Sequence, residues 1–342
     1  MATTTPAQDS SAQLRLNAIN VITRIWPVLF LLALMIFFSL TAKGFFTIRS
    51  FSNILVTSTL IMLLAIGQTF VIITAGIDLS IGWTTGLASV VCALIIRDLG
   101  ASAGAEVPAI GLAILGGLLV AALPGFVNGL LIAKVNVPPF IATLGMFGIV
   151  RGAAFLLTTG KNVVGDLPAN SREMLREIGS GSLIYRVPGE GFAFLKQPAD
   201  LTSDQLRGLE KLAPYPVLIT LAVAIVFAFI LARTVFGRHT YAIGGSPEAA
   251  LRAGVNVDRH LITIYILSAL TAGIAGILHV FRYTAGAPNA GEAQLLDSVA
   301  AVVIGGTDLF GGRGNIAGSI IGALIIGVLQ TGLVQLNVDS LW

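Results

Sequence analysis

The chain has 342 residues, 55% of them hydrophobic and only 11% charged, with a mean hydropathy of +0.90. Soluble domains carry roughly 25% charged residues, so this composition excludes a soluble globular protein and requires an integral membrane protein. A formal net charge of +3 is too small to argue for nucleic acid, and one cysteine, Cys92, excludes disulfides and thiolate metal sites within the chain.

Residues 1–23 are polar and rich in Thr, Ser, Ala and Gln, and are expected to form a mobile cytoplasmic tail. Arg24 and the apolar run after it imitate a signal peptide, but no small-x-small site follows and further spans do, so an uncleaved first helix is expected. A crossing helix needs about 20 apolar residues. The candidate spans are Ile25–Ala42, Ile54–Ala75, Leu79–Ile96, Val107–Ala133, Val137–Thr159, Pro214–Ala232, Leu261–Phe281, a short one near Ala293–Gly305, and Asn315–Leu336. The fold class is therefore all-α: a polytopic membrane bundle of about 9–10 spans with broken helices. Val107–Ala133 overshoots the bilayer and predicts tilt or a kink at Pro124; Arg151, inside the fifth span, marks a pathway or interface residue or a snorkelling one.

With the N-terminus inside, Arg15, Arg24, Lys134, Arg233, Arg238, Arg252, Arg259 and Arg313 fall in the cytoplasm, against Lys43, Arg49, Arg97 and Arg282 outside. That bias supports the N-in orientation. Gly160–Ala213, with seven basic and seven acidic residues, reads as an extracytoplasmic insertion with helix-like pieces at Ser171–Ile178 and Leu201–Leu212. It suits an extracytoplasmic partner or is an insertion with none.

Between the sixth and seventh spans, residues 233–260 form a polar cytoplasmic island centred on Tyr241–Gly254. Within it Pro247–Arg252 predicts a short helix, capped by Ser246 and ended by Gly254. Glu248 and Arg252 stand one turn apart and can pair. With Gly244, Gly245 and Ala249 these residues make a docking element too small to fold alone.

Two further stretches break the pattern of plain spans. Ala75–Gly82 contains Gly76, Asp78 and Ser80, and Trp83 follows it; Gly305–Gly314 contains Gly306, Thr307, Asp308, Gly311 and Gly312. Laid over each other at a shift of 230 residues, they and the helices after them share nine identities in 21 positions, an internal repeat of the kind transporters use. A parallel repeat follows from the span count, and an inverted one from a missed re-entrant segment. Broken helices free backbone groups to face a transport route; Asp78 and Asp308 are expected either to cap the helices after them or to meet solute. Gln68, Asn128, Asn136 and Thr143 are in-span polar residues that line a route or bond between helices.

The GIDLS stretch, YAIGGSPEAALRAGV and the tail VVIGGTDLFGGRGNIAGSIIGALIIGVLQTGL together resemble the membrane permease of monosaccharide ABC importers of the ribose/xylose/arabinose/inositol type. The resemblance runs from about residue 25 to the end, apart from 160–213, and makes 24–342 the permease domain. It implies a cytoplasmic contact of the Tyr241–Gly254 loop with an ATPase subunit. It further implies a second permease copy as a homodimer, two ATP-binding subunits or a tandem ATPase, a periplasmic sugar-binding protein, membrane lipid around the bundle, and the bacterial inner membrane as location. Ser246 stands where many relatives have Asn, and Asp308 where Ser is common. The chain stops at Trp342 where relatives usually continue through one more helix, so a last helix is expected to be missing or a truncation natural.

No GxxxxGK[ST] loop surrounds any of the five lysines, and there is no HExxH. No cofactor is therefore expected on this chain, ATP belongs to the partner subunit, and an enzyme of its own is not expected. His239, His260 and His279 read as structural, and Trp26, Trp83 and Trp342 as interfacial anchors, with Trp83 a weaker pathway candidate. An ion-coupled secondary transporter is the alternative, with Asp78, Asp297 and Asp308 as its few carboxylates.

Overall fold

The structure is a computed structural model and describes residues 10–102, 104–164, 167–198 and 200–338. The chain opens with α1 (Ser10–Thr41), α2 (Ile48–Ile73), α3 (Ile81–Leu99), α4 (Glu106–Lys134) and α5 (Pro139–Thr158). A cap follows: β1 (Val163–Val164), α6 (Ala169–Ser180), β2 (Ile184–Val187), β3 (Gly191–Phe194), α7 (Ser203–Gly208) and β4 (Glu210–Lys211). The second half holds α8 (Tyr215–Arg233), α9 (Val235–Gly245), α10 (Pro247–Arg252), α11 (Val257–Tyr283), β5 (Ala285–Gly286), α12 (Glu292–Ile304) and α13 (Ile316–Gln335).

Seven helices among the described residues are long and apolar enough to cross a membrane: α2, α3, α4, α5, α8, α11 and α13. Of the two other expected spans, one is a shorter apolar helix, Ile25–Thr41 within α1, and the other is the 13-residue α12, too short to cross. Helices prevail because lipid offers the backbone no hydrogen bonds, so each segment must satisfy its own. The expected tail needs correction: α1 begins at Ser10, and residues 1–9 and Trp342 lie outside the described residues.

α4 packs closely against α11, where Gly125 and Gly129 let backbones touch. A Cβ on Gly125 would lie 2.5 Å from the Tyr265 carbonyl oxygen, and one on Gly129 2.6 Å from Ile262 Cα. α4 runs through Pro124 without a break. The faces of α5 and α8 away from the core carry exposed Leu144, Ile149, Leu221, Ile225 and Phe229, as a lipid-facing surface should.

The bundle of long helices has two ends. At one, the cap end, the Arg49 guanidinium donates to the Arg207 carbonyl, Asn170 Nδ2 donates to Glu106 Oε1 at 3.0 Å, Gln335 Nε2 donates to Ser50 Oγ at 3.0 Å, and β1 pairs with β5. At the other, where the short α9 and α10 form a surface knuckle, Lys134 meets Asp258 at 2.6 Å and the end of α2 meets the turn between α12 and α13. The turns after α2 and after α12 thus share an end, and the two copies of the repeat run parallel.

The cap departs from the all-helical pattern. A three-stranded antiparallel sheet, ordered β3-β2-β4, closes over Tyr185, Val187 and Leu209. α6 covers the expected Ser171–Ile178 helix, but Leu201–Leu212 yields only α7, begun by a Thr202/Gln205 capping box, before the chain extends into β4.

Candidate functional site

Two places emerge, a surface knuckle and a buried turn, linked by the last residues of α2. The knuckle is built from α9 and α10. Thr234 caps α9 through the Gly237 N–H, and Ser246 caps α10 through the Ala249 N–H. Pro247 occupies the first turn of α10, and Gly254, at φ +84°, ends the segment in a conformation suited to glycine. Ile243, Ala250 and Val255 form a small core beneath, leaving Glu248, Ala249, Leu251 and Arg252 exposed. Glu248 and Arg252 do not form the expected ion pair: among the described residues neither belongs to a salt bridge, so both charges face outward.

The sequence offered no sign of how firmly the knuckle is seated. A Cβ on Gly244 would lie 1.8 Å from the Ile73 carbonyl oxygen and 2.5 Å from Gly312 N, so only glycine fits there. Gly312 donates its N–H to Ile73 O at 2.8 Å, supplying one of the carbonyl partners a helix C-terminus lacks. Tyr241 Oη donates to Gly314 O at 2.7 Å, and burial pushes that phenol's pKa up, keeping it a donor. Gly245 lies against Gly312 as well. Three segments distant in sequence therefore meet at one point: the end of α2, the end of α9 and the turn before α13.

Three residues beyond Ile73 the chain folds back into the bundle. Gln68, five residues before the end of α2, receives the Asp78 N–H on Oε1 at 3.3 Å and donates from Nε2 to Asp78 O at 2.6 Å. At about 1.5 Å per residue, that re-entry reaches roughly 8 Å below the helix end. Asn128 of α4 donates to Ser80 Oγ at 2.9 Å, and Thr143 of α5 donates to Ile77 O at 3.0 Å. Asp78, 1% exposed, accepts on Oδ1 from Ser80 N (2.9 Å) and Ser80 Oγ (2.6 Å), and on Oδ2 from Ser268 Oγ of α11 (3.3 Å). Gly76 leaves room for the Tyr265 hydroxyl, which a Cβ would meet at 2.6 Å. Gln68, Asn128 and Thr143 thus converge on one break, which their separate positions in the sequence did not reveal. Ser268 and Tyr265 carried no signal at all. Asn136 is elsewhere, at φ +59° in the link from α4 to α5.

Asp78 is not the N-cap of α3. Ser80 holds that position without a side-chain cap bond, while the aspartate makes an Asx turn two residues earlier. Asp308 makes the same turn, Oδ1 accepting from Phe310 N at 2.9 Å, but it does not cap α13, which Asn315 caps through Gly318 N. The copies differ in where the helix restarts: α3 begins three residues after its aspartate and α13 eight after its own. Thr307 is buried, Gly305 packs on the Gly318 carbonyl group, and Gly306 and Gly311 both take φ +90°.

Trp83 corrects an expectation. It is 1% exposed, not an interfacial anchor, and packs with Phe147 and Phe155 beneath the Arg151 guanidinium, 5.0 Å from its ring centroid. His239 and His260 lie together, ring centroids 5.9 Å apart, with Thr240 Oγ1 2.9 Å from His260 Nε2. Among the described residues no cluster of His, Cys, Asp and Glu could hold a metal ion.

A multi-pass helical bundle with a buried helix break and a charged surface knuckle is an architecture suited to membrane transport. Residues 50–342 match the family described as branched-chain amino acid transport system / permease component. The chain is 37% identical over 310 residues to the ribose import permease RbsC of Escherichia coli K12, covering 91% of this chain and 85% of that one. It is 36% identical over 317 residues to the fructose import permease FrcC of Rhizobium meliloti (92% and 79%), and 31% over 342 to the L-arabinose ABC transporter permease AraH of Azospirillum brasilense (99% and 89%). The chain belongs to this ABC permease family. No solved structure matches it.

Proposed function

We propose that this chain is the membrane permease subunit of an ATP-driven importer for a monosaccharide or related polyol. It forms the translocation path with a second copy of itself and takes its power from a separate ATPase. The family's description names branched-chain amino acids, but the relatives named above import ribose, fructose and arabinose. A periplasmic binding protein is the source of substrate specificity in this reading, and it meets the cap end.

The observation that carries the proposal is the seating of Gly244 against Ile73 and Gly312. A push on α10 reaches the end of α2 with no flexible side chain between them. Three residues further lies the buried break at Gly76–Ser80, which opens or closes the path. The knuckle end is then cytoplasmic, and the N-terminus inside.

Co-purification with a separate ATPase, combined with ATP-dependent sugar uptake in proteoliposomes, tests the assignment. Glu248→Arg and Arg252→Glu are each expected to release the ATPase while leaving the bundle folded. Retention of the ATPase in both variants counts against α10 as the docking helix. Uptake by the chain alone without ATP favours the ion-coupled reading instead. A cysteine at Ser246 adds sidedness, since native Cys92 is buried: labelling of intact cells by an impermeant maleimide would place the knuckle outside.

A further inference from the structure

The most exposed large apolar side chain at the knuckle end lies not on α10 but on the second turn. Phe310 is 90% exposed and its neighbour Leu309 45%, while Leu251 on α10 is 63% exposed. Phe310 is held rather than loose. Asp308 Oδ1 accepts its N–H at 2.9 Å, Gly311 N donates to Asp308 O at 3.1 Å, and Asp308 N donates to Arg313 O at 3.0 Å. Gly311 and Gly312 then turn the chain at φ +90° and +74°; Gly311 lies against Gly244, and Gly312 against both Gly244 and Gly245, immediately before the cap of α10.

From this we infer that the ATPase subunit docks on two elements, the α10 knuckle and the Leu309–Phe310 turn, with Phe310 filling an apolar pocket on the ATPase. The inference rests on the docking role of α10 proposed above and extends it to a residue from the other end of the chain. Exposed aromatics on rigid supports are the usual anchors of protein interfaces, because little entropy remains to lose on binding. A lipid anchor needs no such hydrogen-bonded frame. The charged residues Glu248, Arg252 and Arg313 around the two apolar tips supply a polar rim. Asp308 then has a role: it aims the phenylalanine.

The photoreactive amino acid benzoylphenylalanine, placed singly at Phe310 or at Leu251 in cells expressing the complete importer, separates the possibilities. ATPase adducts at both positions are expected. ATPase adducts at Leu251, with Phe310 reacting only with a second permease copy, with lipid or with nothing, overturn the inference and leave the α10 assignment standing. An ATPase adduct at Phe310 alone overturns the two-element footprint, and adducts at neither position overturn the docking proposal itself. Phe310→Ser should weaken ATPase binding about tenfold, the loss typical of an aromatic anchor, with unchanged thermal stability and with rescue by Phe310→Trp. Asp308→Asn, which keeps the Oδ1 acceptor, should bind normally, whereas Asp308→Ala should weaken binding. Unchanged affinity in both Phe310→Ser and Asp308→Ala overturns the inference.

Discussion

The two turns of the repeat begin alike and are used in opposite ways. Each has a Gly-x-Asp-Leu core, and each aspartate accepts the backbone N–H two residues on. Around Asp78 four helices close in, supplying Gln68, Asn128, Thr143 and Ser268. The Asp308 carboxylate receives no bond from another helix among the described residues: the turn's glycines seat on α9 and the end of α2, but its Leu309–Phe310 tip ends in the open. One local motif thus yields a clamped internal break or a surface hook, and its surroundings choose between them.

The strongest way to break this comparison is to part the two turns where they touch. Gly244→Ala would drive a Cβ into two backbone atoms, Ile73 O and Gly312 N, that cannot rotate away. We expect destabilisation at or above the ~1–3 kcal/mol of ordinary overpacking, read as a lower melting temperature in detergent, together with loss of ATP-driven uptake. Asp78→Ala comes next. It strands Ser80 N–H and the Ser80 and Ser268 hydroxyls, each at about 1–3 kcal/mol if left unpaired, so the melting temperature should fall steeply. Gln68→Leu removes both bonds to the Asp78 backbone, and a smaller but clear drop is expected. Thr143→Val removes one bond, to Ile77 O, at about 1 kcal/mol. Asp308→Ala should cost least in stability, roughly 0.5–1 kcal/mol, because water can reach the freed N–H. Equal losses for Asp78→Ala and Asp308→Ala would erase the distinction drawn between the turns.

Much of this was legible in the sequence, for physical reasons that differ by region. Long apolar runs announce spans because lipid forces the backbone into helices, and the Ser246–Pro247…Gly254 spacing announces a capped short helix because capping is local chemistry. The cap's sheet was not legible, since strands as short as Glu210–Lys211 carry almost no period to detect. α9 went unforeseen, its Tyr241–Gly245 part reading as loop beside two glycines. Gln68, Asn128 and Thr143 could be named as unusual polar residues in spans, but which partner each finds depends on how the helices pack. Trp83 read as an interfacial anchor by residue type, with its place beside the break making it a weaker pathway candidate, yet it is buried inside the bundle.

The bond from Gly312 N–H to the Ile73 carbonyl has a consequence for biogenesis. A membrane chain is threaded into the bilayer from its N-terminus, so the end of α2 is in place long before its partner has been synthesised. Until most of the protein has emerged, that carbonyl lacks its partner and the bed for Gly244 stays unfinished. On the docking role proposed for α10, an ATPase would then meet a completed surface only after the last helices have been made.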